Sequence, residues 1–127
     1  MNAYVVWMDG KEAKIFKLEP TETEKRRMKA HGHKHHTHAH GKHDTGNHHD
    51  DKFYGELAQS IKDATEILVM GPGDSKNHFK TYLTKHNANL AKAIVGIETV
   101  DHPTENQILE KARTFFKKYD LFHEAVT

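Results

Sequence analysis

Cysteine is missing from this sequence, which excludes disulfides and thiolate metal sites. Proline occurs three times and tryptophan once. No apolar run approaches the length of about 20 residues needed to cross a membrane, so no membrane partner is expected. The N-terminus MNAYVVWMDG has no basic n-region; a signal peptide is not expected there, and a reducing cytoplasm is the expected location. An excess of either charge is lacking too. Nineteen Lys and Arg balance eighteen Asp and Glu to a net charge of +1 with histidine neutral, which neither requires nor excludes a nucleic-acid partner. No internal repeat is visible. The hydrophobic fraction of 35% is low for a globular chain, and the deficit is concentrated in two places, the charged run 22–29 and a histidine-rich stretch at 31–51. Outside them apolar residues are dense enough for one core, and 127 residues suit a single domain, residues 1–127.

The histidines are what the sequence has in excess. The stretch HGHKHHTHAHGKHDTGNHHDD holds nine of the thirteen: His31, His33, His35, His36, His38, His40, His43, His48 and His49. In an extended chain residues two apart point the same way, so the near alternation presents imidazoles on both sides. Neutral imidazole is a preferred ligand of zinc, nickel and copper, and Asp44, Asp50 and Asp51 offer oxygen donors. The composition thus marks affinity for a divalent transition metal, Zn or Ni. It does not specify a site, because neither a His-x-x-x-His helix nor a cysteine is present. A low-complexity loop with incidental metal affinity has the same composition. Free histidine titrates at a pKa of about 6.5. With Lys34 and Lys42 as fixed charges, the stretch becomes cationic in acid and is also a candidate arm for RNA phosphates.

The remainder alternates strand and helix signals. Residues 3–9 (AYVVWMD) form a short continuous apolar run, the mark of a central strand covered on both faces. Asp9-Gly10 is a hairpin turn signal, and residues 12–18 (EAKIFKL) return antiparallel until Pro20. Residues 21–30 carry a capping-box pair, Thr21 and Glu24, but no apolar stripe, and a solvated third strand is favoured over a helix. Residues 52–63 are an amphipathic helix through Phe53, Leu57 and Ile61. Residues 66–70 (EILVM) read as a buried strand. Gly71-Pro72-Gly73 follows, and Asp74 or Ser75 caps a helix to about His86. Residues 93–100 (AIVGIETV) read as a second buried strand. Thr104 and Gln107 form a capping box for a last helix to about Tyr119, with Ile108, Ala112, Phe115, Phe116 and Tyr119 on its apolar side and a loosely packed tail after it. Strand–helix–strand order implies a parallel pair and the hairpin adds antiparallel strands. The expectation is an α/β domain: a mixed five-stranded sheet with helices on both faces.

Ligands of open α/β sheets bind beyond the carboxyl ends of the parallel strands. Gly71, Gly73 and Lys76 lie at one such end, where backbone N–H groups at a helix start can hold an anion. The segment is not a Walker loop, Asp74 would compete with an anion, and a tight glycine turn explains the same residues. Asp9 and Asp101 could hold a divalent cation for phosphodiester cleavage, although a turn and a helix start account for them as well. His102, before a proline, is a possible general base or a structural residue.

The order of pieces, VVWMDGKEAKIFKL, a long charged loop, a helix, ILVMGPGDSK, a helix and VGIETVDH, resembles the middle domain of the eukaryotic and archaeal class-1 release factors and of Pelota, and the small bacterial proteins grouped with it as translational machinery components. The segment Gly71-Pro72-Gly73-x-x-Lys76 is similar to a Pelota-type Gly-Pro-Gly-Phe-x-Lys, with Asp74 in place of the phenylalanine. The resemblance implies a ribonuclease H-like fold with residues 3–9 parallel to residues 66–70. In the release factors the corresponding loop carries Gly-Gly-Gln for peptidyl-tRNA hydrolysis. Here that loop, the insert 31–51, has neither a Gly-Gly pair nor a glutamine, so release chemistry does not carry over. What the resemblance implies is a non-catalytic, translation-related protein that binds the ribosome or structured RNA. Lys34 and Lys42 of the histidine loop join Gly71, Gly73 and Lys76 as contacts. The rival readings are a His-rich Zn or Ni protein and a metal-dependent nuclease.

Overall fold

A computed structural model describes residues 2–19, 23–30 and 46–126 of the chain. Its centre is β1 (Ala3–Met8), hydrogen-bonded on both edges. Antiparallel to it runs β2 (Glu12–Leu18), and antiparallel to that runs β3 (Thr23–Lys29). On the other side β4 (Glu66–Gly71) lies parallel to β1, and β5 (Ile94–Thr99) parallel to β4, giving the order β3-β2-β1-β4-β5. The helices are α1 (Gly46–Ser60), α2 (Ser75–His86), α3 (Ala88–Ala93) and α4 (Glu105–Val126). The expected mixed five-stranded sheet is present, and residues 23–29 are the solvated strand favoured above.

Strand alternation divides the core. Tyr4, Val6, Met8, Ile67 and Val69 face one way and pack with Phe53, Leu57, Phe79, Leu83 and Leu90 of α1, α2 and α3. Val5, Trp7, Leu68 and Met70 face the other way, onto Ile108, Ala112 and Phe116 of α4. With a layer on each face, β1 and β4 need apolar residues at successive positions, which is why the runs 3–8 and 67–70 are unbroken. Burying each such side chain contributes about 1.5–3 kcal/mol.

Local signals explain the joints. In the β1–β2 hairpin the Asp9 carboxylate accepts N–H bonds from Lys11 and Glu12 at 2.8 and 2.9 Å. Gly10 and Lys11 thus form the two-residue tip, one residue later than the expected Asp9-Gly10 turn. The Thr104–Gln107 capping box forms as expected: Gln107 N–H donates to Thr104 Oγ1 at 3.1 Å, and Thr104 N–H to Gln107 Oε1 at 2.9 Å.

Four expectations need correction. The helix expected from residue 52 begins at Gly46, so residues 46–51 are not part of a loop insert; once Phe53, Tyr54 and Leu57 are packed, each residue added toward the N-terminus brings one more hydrogen bond at little cost. The last helix, expected to end near Tyr119, continues to Val126, by the same propagation. The residues before β5 form a separate short helix, α3, because Asn87 leaves the helical conformation and its side-chain oxygen accepts from Leu90 N–H at 3.2 Å. And β5, read as buried, is half-buried, since it is an edge strand with a neighbour on one side only.

Candidate functional site

With β1, β4 and β5 parallel, their carboxyl ends meet at one edge of the sheet. Asp9, the segment 71–73 and the segment 100–102 come together there. Gly71 is fixed by closeness: a Cβ at that position would sit 2.1 Å from the Met8 carbonyl oxygen. Its own carbonyl accepts from Val100 N–H at 3.1 Å, which ties β4 to the chain leaving β5. Trp7, buried at the end of β1, donates its Nε1–H to the Asp101 carbonyl at 2.9 Å. The His102 ring lies against the indole, with centroids 5.1 Å apart and planes tilted by 56°. Its Nδ1 is 2.9 Å from Asp101 Oδ1 and its Nε2 is 3.8 Å from Asp9 Oδ2. The two carboxylates therefore address opposite nitrogens of one imidazole and do not converge on a shared point, the arrangement a cation bridging Asp9 and Asp101 would need. Among the described residues no group of three or more His, Asp or Glu side chains is gathered to hold a metal ion.

A second feature lies on the α1–α2 side. An open cleft of about 300 Å³ is lined by Asp51 and Tyr54 of α1 and by His78, Thr81, Tyr82, Lys85 and His86 of α2. The Tyr82 and His86 rings are 4.4 Å apart at 33°, and Tyr54 approaches Tyr82 at 5.8 Å. Tyr82 is seated on Gly55, where an added Cβ would come within 3.0 Å of its hydroxyl. The sequence carries a signal for this cleft that the reading by motif passes over: His78, Tyr82, Lys85 and His86 share one stripe of α2 by their three- and four-residue spacing.

The overall shape has counterparts among known structures. It is similar to Pelota from Archaeoglobus fulgidus, with 17% identity and a TM-score of 0.65 over 98% of this chain and 36% of that one. Pelota from Thermoplasma acidophilum matches at 17% identity and a TM-score of 0.62, over 87% of this chain and 31% of that one. This is a Pelota-like fold. It is shared with an archaeal translation termination factor at 14% identity and a TM-score of 0.54, over 98% of this chain and 41% of that one. The chain spans less than half the length of each of these proteins. No family model and no curated protein matches the sequence.

The Pelota-like frame separates the residues singled out from the sequence. Gly71 is inside the sheet, Gly73 is exposed with open space around it, and Lys76 is buried. The Lys76 ammonium turns back to donate to the Gly73 carbonyl, so it closes its own loop. Asp74 stands at the N-cap position of α2, where the sequence placed it, but its side chain makes no cap bond; its backbone carbonyl accepts from Asn77 and His78 N–H instead, both at 2.9 Å. Lys34, Lys42, His31, His33, His35, His36, His38, His40 and His43 lie outside the described residues. His48 and His49 fall within the first turn of α1. No helix among the described residues is long and apolar enough to cross a membrane.

Proposed function

We propose that this chain is a non-catalytic, translation-related binding protein of the cytoplasm that contacts the ribosome or structured RNA. The observation that carries this reading is the Pelota-like fold over nearly the whole chain, shared with a translation termination factor. The stretch at 31–51 holds no Gly-Gly-Gln, which supports binding without hydrolysis. It holds Lys34, Lys42 and nine histidines, which suit a contact arm for phosphates. The test is co-sedimentation with ribosomes and filter binding of ribosomal RNA over a salt series. The parent chain is compared with one whose residues 31–45 are replaced by a Gly-Ser linker, which leaves α1 intact. Binding that weakens with salt and is lost with the seven histidines of residues 31–45 is expected. No binding at low salt would overturn the proposal.

The nine histidines also favour a second reading, a Zn or Ni protein on the same scaffold, with His31, His33, His35, His36, His38, His40, His43, His48 and His49 as the ligand pool. Calorimetric titration of the intact and linker-replaced chains separates the two. Tight binding of an integral number of ions, lost with the segment, favours the metal protein; weak graded binding favours the RNA arm.

A further inference from the structure

The eighteen acidic residues of the chain are unevenly placed. None occurs in residues 75–97, which carry Lys76, Lys80, Lys85, Lys92, His78 and His86. The whole of α2 lies in this acid-free stretch, and five of its residues line the cleft toward α1. Along the helix the cleft-lining residues run from a hydrogen-bond donor (His78) through a ring (Tyr82) to a cation and a second ring (Lys85, His86). A nucleic-acid strand alternates in the same way, phosphate, base, phosphate. The Tyr82 ring sits on Gly55 with the Tyr54 ring beside it and the His86 ring against it, so a base would join a ring pair that is already ordered, which lowers the cost of stacking.

Asp51 decides what goes inside. It is the acidic side chain lining the cleft, and a carboxylate accepts hydrogen bonds but cannot donate them. It repels a phosphate and attracts an N–H donor, such as the exocyclic amine of adenine, cytosine or guanine. Uracil presents no such amine: its one N–H on that edge, N3–H, is flanked by two carbonyl oxygens, which a carboxylate repels. The volume, about 300 Å³, is at the small end of the range for ligand pockets and suits one base.

From this geometry we infer that the α1–α2 cleft seats one unpaired, amino-bearing base of an RNA strand, stacked on Tyr82 beside Asp51, with the flanking phosphates on His78 and Lys85. The inference rests on the RNA-binding reading above and names the contact it would use. Structured RNA offers such bases in loops and bulges.

The test is fluorescence anisotropy of short labelled single-stranded A, C and U oligoribonucleotides with the full chain at low salt, with AMP as competitor. The A and C strands bind more tightly than U. Tyr82→Ala weakens the A and C strands about tenfold. Asp51→Asn, at an exposed position of α1, removes the preference for A and C over U. Undiminished binding of A and C strands by both variants would overturn the cleft assignment while leaving RNA binding in place. Failure of the parent to bind any strand would overturn both. AMP binding as tightly as the A strand would replace the strand by a free nucleotide.

Discussion

Tyr4 offers the sharpest test of how the sheet is held. It is buried in β1, and its hydroxyl donates to Asp63 Oδ1 at 2.6 Å in the turn between α1 and β4. Lys17 reaches the other oxygen, Oδ2, at 3.3 Å. Burial, reinforced by the bond to Asp63, pushes the Tyr4 hydroxyl from 10.0 up to about 12. The same bond, more than the lysine, holds the Asp63 carboxyl below its ordinary value of 3.8. Tyr4→Phe removes one hydrogen bond to a charged acceptor, a loss of about 1.5–3 kcal/mol. Asp63 is half exposed at 47% and rehydrates, which places the expected cost near the lower bound. The pH dependence follows from the direction of each shift. A raised folded value for tyrosine means that its contribution is complete below about pH 10 and lost as pH climbs toward about 12. A lowered folded value for the carboxyl means that its contribution is complete above the unfolded value and lost as pH falls through and below it. The stability difference between parent and Tyr4→Phe should therefore be flat from about pH 5 to 9 and shrink on either side. Urea unfolding followed by circular dichroism across this range measures it. In an Asp63→Asn background the effect of Tyr4→Phe should fall to a fraction of its value. A difference that persists unchanged at pH 3, or an undiminished effect of Tyr4→Phe when Asp63→Asn is already in place, would refute the reasoning.

Substitutions at three further positions test the joints by the same unfolding assay. Thr104→Ala removes the acceptor of Gln107 N–H at the start of α4 and should cost about 1 kcal/mol. Gly71→Ala forces a methyl onto the Met8 carbonyl oxygen, 2.1 Å away; the β1–β4 pair must part, with a loss of about 3 kcal/mol or more. Asp9→Ala leaves the Lys11 and Glu12 N–H groups of the hairpin without their shared acceptor and should cost about 1–2 kcal/mol, whereas Asp9→Asn keeps an acceptor oxygen and should cost less.

What was legible in the sequence was what short-range chemistry determines. The hairpin, the capping box of Thr104 with Gln107 and the unbroken apolar runs of β1 and β4 each follow from neighbours in the chain. The gathering of Asp9, Gly71 and Asp101 at one edge followed from strand order. What was not legible depends on packing between distant segments. The start of α1 inside the histidine stretch is decided by Phe53 and Leu57 against the sheet. Lys76 reads as an outward cation in a Gly-Pro-Gly-x-x-Lys pattern, yet the fold turns it onto Gly73. His78, Tyr82 and His86 become a cleft only when Tyr54 and Asp51 of α1 stand opposite them, and no local pattern announces that partner.

The parallel pairing of β1 with β4 joins positions as far apart as Ala3 and Glu66, and the histidine-rich stretch lies wholly within that span. Closing such a loop costs entropy only as the logarithm of its length. Removing the fifteen residues 31–45 would change that cost by about 0.2 kcal/mol. The closure cost is thus nearly indifferent to how many residues stand at 31–45, and that length is left open to whatever the segment is selected to touch.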